Sequence, residues 1–209
     1  KLTDLFISEY REGMYIDGDF ALPCQRITAK PGVIKVAAEA GGLPPAYRRL
    51  FTAAAEAAKE TGLPILSHVE MGKGALEQID FFLDQGLSPK GLILCHLDRD
   101  LRDFDYHCRV AETGVYLEYD TIGRCKYHSD EEGAIHIAKM VEAGFQRQIL
   151  LGLDVTRERM KSYGGSIGLD YIITKFIPLL KQVGLDDGMI EGFMVRNPAE
   201  AFQNKKGAK

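Results

Sequence analysis

Short apolar runs alternate along the chain with longer stretches of helical periodicity. The runs are rich in Val, Ile and Leu, and Gly or Pro bounds most of them. Each run carries a polar residue at or near its end: Lys35 in GVIKVAA, His68 in LPILSH, His96 in LILCH, Asp120 in VYLEYD and Asp154 in QILLGLD. Such runs are typical of buried parallel strands when helices separate them. Their spacing of roughly thirty residues is that of one strand-helix unit, so the pattern predicts a series of βα units.

The stretches between the runs have apolar residues three and four positions apart, and most end at a glycine, as amphipathic helices on a sheet do. Helices are predicted over residues 2–13, 45–61, 73–85, about 101–113, 130–143 and 169–183. Near the end, RNPAEAF predicts a short helix with Asn197 as N-cap, Pro198 in the first turn and Glu200 at N3. The irregular segment 17–32 is predicted to be a loop leading into the first strand.

Composition narrows the class of protein. A chain of 209 residues with 45% hydrophobic content can bury a substantial core, within one domain or a large part of one. The net charge of -4 gives no basic patch and argues against nucleic acid as a partner. Cys24, Cys95, Cys108 and Cys125 lack paired spacing, which favours a reducing cytoplasm over disulfides or a zinc knuckle. We expect neither a membrane span nor a signal peptide.

Polar residues that end parallel strands meet at one rim of the sheet. Two histidines, a carboxylate and a lysine at such a rim suit a metal hydrolase, and imidazoles with anionic oxygens suit zinc, manganese or cobalt. The structural alternatives are a hydrogen-bonded rim histidine, a solvated Lys35, and Asp154 as a helix N-cap. Two histidines end consecutive units, which favours metal ligation over the structural role for His68 and His96. The apolar flanks of Lys35 favour ligation over solvation for that residue. Asp120 also ends a predicted strand, and the sequence does not decide whether it lines the site.

The remaining histidines are assigned to other roles. His107 and His136 fall within predicted helices, and His128 falls in a loop. We expect all three to be structural or exposed.

Five stretches resemble the phosphotriesterase-related branch of the amidohydrolase superfamily, in its order and spacing and over nearly the whole chain. They are GVIKVAAEAG, AAAEAAKETGLPILSH, GLSPKGLILCH, ILLGLD and FMVRNPAEAF. The resemblance implies an α/β fold, a TIM (β/α)8 barrel with a binuclear metal centre, usually zinc. This chain would supply about strands four to eight.

By position, the resemblance also implies the roles of individual residues. Lys35 would be carboxylated by carbon dioxide, and its carbamate would bridge both metals. His68 and His96 would hold the more exposed metal, and Asp154 would bind the more buried metal and handle the proton. A metal-bound hydroxide would then attack a carbonyl or phosphoryl centre.

The chain also departs from the family. No His-x-His pair occurs, the first three βα units are largely absent, and the sequence begins without a Met. A barrel lacking three strands would expose unpaired edges. We therefore expect residues 1–209 to be the C-terminal part of one barrel, either a fragment or a chain lacking an N-terminal segment. An inactive half-barrel serving as a binding module is the alternative.

Substrate choice is expected to lie in the loops after the last two predicted strands. Lys126 in the first loop and Arg157 in the second are placed like basic residues that hold phosphate in relatives acting on phosphorylated sugar lactones, and Tyr127, next to Lys126, is a further candidate substrate residue. Solvated surface charge is the alternative for these cations. We predict a small-molecule hydrolase, a lactonase or esterase first, and a phosphotriesterase or N-acyl amino acid amidohydrolase second. A homodimer is compatible with the resemblance.

Overall fold

One parallel sheet organises the protein. The computed structural model describes residues 1–16 and 25–206. The strands are β1 (Ile34–Ala38), β2 (Ile65–Val69), β3 (Leu92–Cys95), β4 (Tyr116–Tyr119) and β5 (Ile149–Leu151). Each strand pairs in parallel with the next in chain order. The predicted α/β class is confirmed, and the arrangement is consistent with part of a TIM-type barrel.

Helices connect the strands much as the periodicity predicts. They are α1 (Leu2–Glu12), α2 (Pro45–Thr61), α3 (Ala75–Asp84), α4 (Phe104–Glu112), α5 (Asp130–Glu142), α6 (Ile177–Gln182), α7 (Asp187–Glu191) and α8 (Asn197–Ala201). The bounds of α2 are those predicted, because Pro45 occupies its first turn and Gly62, with φ 79°, ends it. Buried alanines on α2 allow that helix to pack closely, alongside Phe51.

Two π-helical turns each lead into a helix that carries a proline in its first turn. Ile172–Phe176 precedes Pro178 in α6, and Gly192–Arg196 joins α7 to α8 before Pro198. Proline lacks an N–H and its ring clashes with the carbonyl four residues earlier, so a wider turn lets the helix continue.

The prediction that Asn197 is an N-cap is wrong. Its backbone is helical (φ -63°, ψ -47°), and the helix continues from α7 through the π turn. The buried side-chain amide instead donates to the carbonyls of Gln146 at 2.9 Å and Ile149 at 2.8 Å, which precede and begin β5. Asn197 therefore fastens α8 to the sheet.

The two faces of the sheet have different surroundings. The main core lies on the face towards α2, α3, α4 and α5, whereas Leu66, Ile93, Tyr116 and Leu150 form a small cluster with Ala201 on the other. On this second face, here called the inner face, the register aligns two rows. The first row is Lys35, Leu66, Ile93 and Tyr116, and the second, one step towards the carboxyl ends, is Ala37, His68, Cys95, Glu118 and Leu150.

Three further expectations can be compared with the structure. Within residues 1–16 and 25–206, no helix is long and apolar enough to cross a membrane. Cys95, Cys108 and Cys125 form no disulfide, and Cys24 lies outside the described residues. Residues 17–24 of the predicted loop also lie outside the described residues. In the described part of that loop, residues 25–32, the regular pairing is an isolated β-bridge between Arg26 and Tyr15.

Candidate metal centre

Side chains from the ends of β2, β3 and β4 converge at the carboxyl edge of the sheet. The rings of His68 and His96 have centroids 4.5 Å apart. His96 Nδ1 lies 2.8 Å from the carboxylate of Asp120, and His68 Nε2 lies 2.8 Å from Glu70 Oε2. The structure therefore brings the two predicted histidines together, with Asp120, which the sequence left open, beside them.

The backbone is strained where two predicted site residues lie. His96 has φ 68° and Asp154 has φ 38°, a left-handed region that non-glycine residues rarely adopt. Such conformations cost about 1–3 kcal/mol each and cluster at functional sites. The left-handed backbone at His96 directly follows β3 and ends the regular alternation of side chains between the two faces of the sheet.

The surroundings of both histidines lower their pKa values and so favour the neutral form. Burial, followed by the positive charge of Arg99, lowers the pKa of His96 to about 4. Burial also lowers the pKa of His68, although its hydrogen bond to Glu70 opposes this. A neutral imidazole has the lone pair that a metal ligand requires.

Three buried carboxyl groups near the histidines carry raised pKa values, whereas the hydrogen bond to His68 lowers the pKa of Glu70. Burial, followed by the charges of Asp98 and Asp154, raises the pKa of Asp120 to about 8. Burial and then Asp120 raise that of Glu118 to about 7. Burial also raises the pKa of Asp98, whose Oδ2 accepts from the Thr121 backbone and hydroxyl, while Oδ1 has no hydrogen-bond partner in the described part of the chain.

This donor set fits a divalent cation. Donor atoms of Cys95, His96 and Asp120 all lie within 4.8 Å of one another, and all three residues are buried. The charges of Arg99 and Lys35 do not offset the burial of Asp120, whose pKa stays raised, and a bound dication would supply further positive charge and restore the ionised form of the acids.

Asp154 follows β5 and is held by two arginines. Its Oδ2 accepts from Arg124 Nη1 at 2.6 Å and from Arg99 Nη2 at 3.3 Å. Arg99 also donates to Glu70 at 3.3 Å, so a chain of charges joins His68 to Asp154 across the site. Asp154 caps no helix, which excludes the structural alternative considered for it.

Lys35 is near the cluster, but its predicted position at the end of a strand is wrong. It is the second residue of β1, because the run continues through Ala38. The flanking Ile34 and Val36 are buried on the other face, whereas Lys35 is exposed on the inner face, so its flanks do not desolvate it. Its long side chain reaches two strands across, and Nζ donates to Cys95 Sγ at 2.8 Å.

The predicted substrate residues are separated. Lys126 and Tyr127 line a cavity of about 650 Å³, together with Arg99 and Arg102. Lys126 Nζ lies 4.6 Å from the centre of the Tyr127 ring, and the guanidinium groups of Arg124 and Arg99 lie 5.4 and 5.5 Å from it. Arg157 is not among the residues lining this cavity, and its guanidinium stacks on Tyr163 at 4.6 Å.

The three other histidines lie outside the donor cluster. His107 and His136 are buried with ring centroids 4.4 Å apart, and His107 Nε2 lies 3.0 Å from the carbonyl of Asp100. His128 is half-buried, with Nε2 3.0 Å from Thr121 Oγ1.

Cys95, Glu118 and Arg99 are additional residues of the site that the sequence pattern did not single out. For the first two the available signal was the strand alternation, which places both on the face that carries His68.

Comparison with known proteins agrees with this fold and shows the family of the chain. The profile of the phosphotriesterase family matches residues 1–202, and the chain belongs to that family. It is 32% identical over 214 residues to a phospho-furanose lactonase of Mycoplasmopsis synoviae strain 53, covering 99% of this chain and 61% of the relative. It is 30% identical over 163 residues to an N-acetyltaurine hydrolase of Dictyostelium discoideum, covering 72% of this chain and 44% of the relative.

A solved structure shows the same likeness. The phosphotriesterase homology protein of Escherichia coli, in a crystal structure with phosphate in its active site, superposes with a TM-score of 0.85 at 29% identity. The alignment covers 97% of this chain and 68% of that one. The chain spans about three-fifths of the length of the phospho-furanose lactonase.

Proposed function

We propose that the protein is a metal-dependent hydrolase that opens a lactone or ester, and that its substrate is a phosphorylated sugar lactone. The observation that carries this proposal is the meeting of half-buried His68 with buried His96 and Asp120 at the carboxyl edge of the sheet. Arg99 joins that cluster to the cavity lined by cations. The site thus combines ligands for a metal with positive charge for an anionic substrate.

His68, His96 and Asp154 are the residues that would hold metal, with Asp120 beside them. Zinc, manganese and cobalt suit this mixture of imidazole and carboxylate. Carboxylation would give Lys35 an anionic oxygen, whereas its ammonium form has no lone pair. When bound, such a metal lowers the pKa of water and polarises the carbonyl oxygen of the substrate.

The protein's own groups orient the reaction. Asp154 is the proposed proton acceptor, and Arg124 and Arg99 fix the direction of its carboxylate. Glu70 fixes the ring of His68 through Nε2 and is itself held by Arg99. Hydrogen bonds from neighbouring groups to the residues that bind a metal orient those residues and are usually needed for full activity.

Positive side chains support recognition of phosphate at the cavity. Lys126 and Tyr127 line it, and Arg157 lies on the neighbouring loop. The names of relatives also support an anionic substrate, because a phospho-furanose lactone and N-acetyltaurine each combine a carbonyl with a phosphate or sulfonate group. Hydrolysis of an N-acyl amide with a distant anionic group is therefore the second candidate.

The test compares hydrolysis of a phosphorylated furanose lactone, its dephosphorylated analogue and N-acetyltaurine. We expect Lys126→Ala and Arg157→Ala to raise KM for the phosphorylated lactone far more than for the dephosphorylated one. Lys90→Ala and Arg147→Ala are matched controls, since both residues are exposed next to the amino ends of β3 and β5.

Equal effects on both lactones would contradict phosphate recognition by these residues. Hydrolysis of N-acetyltaurine alone would favour the second candidate. Binding of the lactone without any hydrolysis by metal-loaded protein would favour a binding module.

A further inference from the structure

We propose that Arg159 is a positioning residue for Asp154, the proton acceptor of the proposed function. The inference rests on that function and deepens it. Arg159 lies in the loop after β5, at the end of the short 3₁₀ turn Arg157–Arg159. Its role is to hold the backbone of Asp154 and the neighbouring loop together without touching the substrate.

The guanidinium group of Arg159 is directed at main-chain carbonyls. Nη1 donates to the carbonyl oxygens of Leu153 at 3.0 Å and Asp154 at 2.9 Å, and Nη2 donates to that of Gly123 at 3.3 Å. Gly123 belongs to the loop after β4, so Arg159 joins the two loops whose residues meet at Asp154. A rigid fork with several N–H donors suits such a bridge. Arg159 is not among the residues that line the cavity shared by Lys126 and Tyr127, which separates it from the proposed phosphate contacts.

The backbone of Asp154 needs such support. Its φ of 38° is in the left-handed region, which non-glycine residues rarely adopt. A conformation of this kind persists only where the surrounding contacts over-determine it. The two carbonyls that Nη1 contacts belong to the peptide groups on either side of the Asp154 Cα. Arg159 therefore fixes both peptide groups and, with them, the direction in which the carboxylate leaves the backbone.

A second connection reaches the carboxylate itself. Gly123 directly precedes Arg124, whose Nη1 donates to Asp154 Oδ2 at 2.6 Å. The N–H of Gly123 donates to Oδ1 of buried Asp130 at 2.7 Å, so Gly123 is held through its N–H as well as its carbonyl. The contacts close a ring that runs from Arg159 to Gly123, through Arg124 to the carboxylate, and back through the Asp154 backbone. One guanidinium group thus supports both ends of the Asp154 residue.

Removing Arg159 should move the carboxylate rather than weaken the grip on substrate. Loss of groups that orient a metal-binding residue costs about 10- to 100-fold in activity or metal affinity, and a shift of about 1 Å in a reacting group can cost about 100-fold. We therefore expect Arg159→Ala to lower kcat about 10- to 100-fold with little change in KM. Zinc affinity should fall by about tenfold, because Asp154 is one of the residues that would hold the metal.

The experiment measures kcat and KM for a phosphorylated furanose lactone, together with zinc affinity by titration of the metal-free protein. The variants are Arg159→Ala, Arg124→Ala and the double variant, each assayed well below its thermal unfolding midpoint. The control is Lys161→Ala, which removes an exposed cation from the same loop and should leave all three values unchanged. Because both arginines act through Asp154, the double variant should lose less in kcat than the product of the two single losses.

A conservative variant keeps the test usable if Arg159→Ala does not fold. The single ammonium group of Arg159→Lys can bond a carbonyl but cannot span both loops, so kcat and zinc affinity should lie between those of the unmodified protein and the other variants. Unchanged kcat and zinc affinity in Arg159→Lys would overturn the inference.

Three results with Arg159→Ala would also overturn it. These are values equal to those of Lys161→Ala, a raised KM with kcat retained, and a loss in kcat that multiplies fully with that of Arg124→Ala. Each of them would leave the proposed hydrolase intact. Full activity of Asp154→Asn would instead refute the role of Asp154 in the proposed function, and with it the positioning role of Arg159.

Discussion

His136 should make the fold sensitive to acid independently of the metal centre. It is buried on α5 against His107 of α4. Burial, followed by the charge of His107, lowers its pKa from 6.5 to about 3. The unfolded chain therefore takes up a proton below pH 6.5 that the folded protein refuses, and stability falls as the pH drops through that window towards 3.

The size of the effect follows from the shift. Each pH unit in the window costs about 1.36 kcal/mol, so His136 should remove about 2 kcal/mol of unfolding free energy between about pH 7.5 and about pH 5. Urea unfolding at both pH values, with chelator present, measures this loss. In His136→Gln the loss should be about 2 kcal/mol smaller than in the unmodified protein.

The control is Ile135→Gln, which changes an exposed residue on the same helix. It should keep the pH dependence of the unmodified protein. If His136→Gln keeps it too, the imidazole does not stay neutral in the folded state and the reasoning is refuted.

Two further substitutions test how the site is supported. Gly152→Ala would place its Cβ 2.8 Å from Asp120 Cβ, so we expect a loss of about 1–3 kcal/mol and weaker metal binding, measured by thermal denaturation and metal titration. Gly91→Ala, which has open space around it, should show neither effect. Asn197→Ala leaves two carbonyls without their amide donor, and should cost about 2 kcal/mol or more in unfolding free energy. If the urea midpoint of Asn197→Ala equals that of the unmodified protein, the role of Asn197 in holding α8 to β5 is refuted. Thr174→Ala, which changes an exposed residue, is the control.

The architecture was predictable because its signals are local. Apolar runs bounded by Gly or Pro specify the strands, and the periodicity that ends at Gly62 specifies α2. The convergence of His68 and His96 followed from the rule that parallel strands end at one rim.

The errors arise where distant packing decides between similar local patterns. A proline after Asn197 resembles a helix start, yet the π turn allows the helix to pass through it. Cys95 and Glu118 become neighbours only through the register of β3 and β4, which no single segment specifies. The pattern also gave no sign that Arg157 would stack on Tyr163 rather than line the cavity beside Lys126.

The most direct test of the account is the metal content of the purified protein and of His96→Ala, measured together with hydrolysis of a phosphorylated furanose lactone. We predict bound divalent metal in the unmodified protein, activity that chelator abolishes and added zinc restores, and loss of both metal and activity in the variant while its circular dichroism is retained. Full activity in protein free of metal, or in folded His96→Ala, would contradict the central claim.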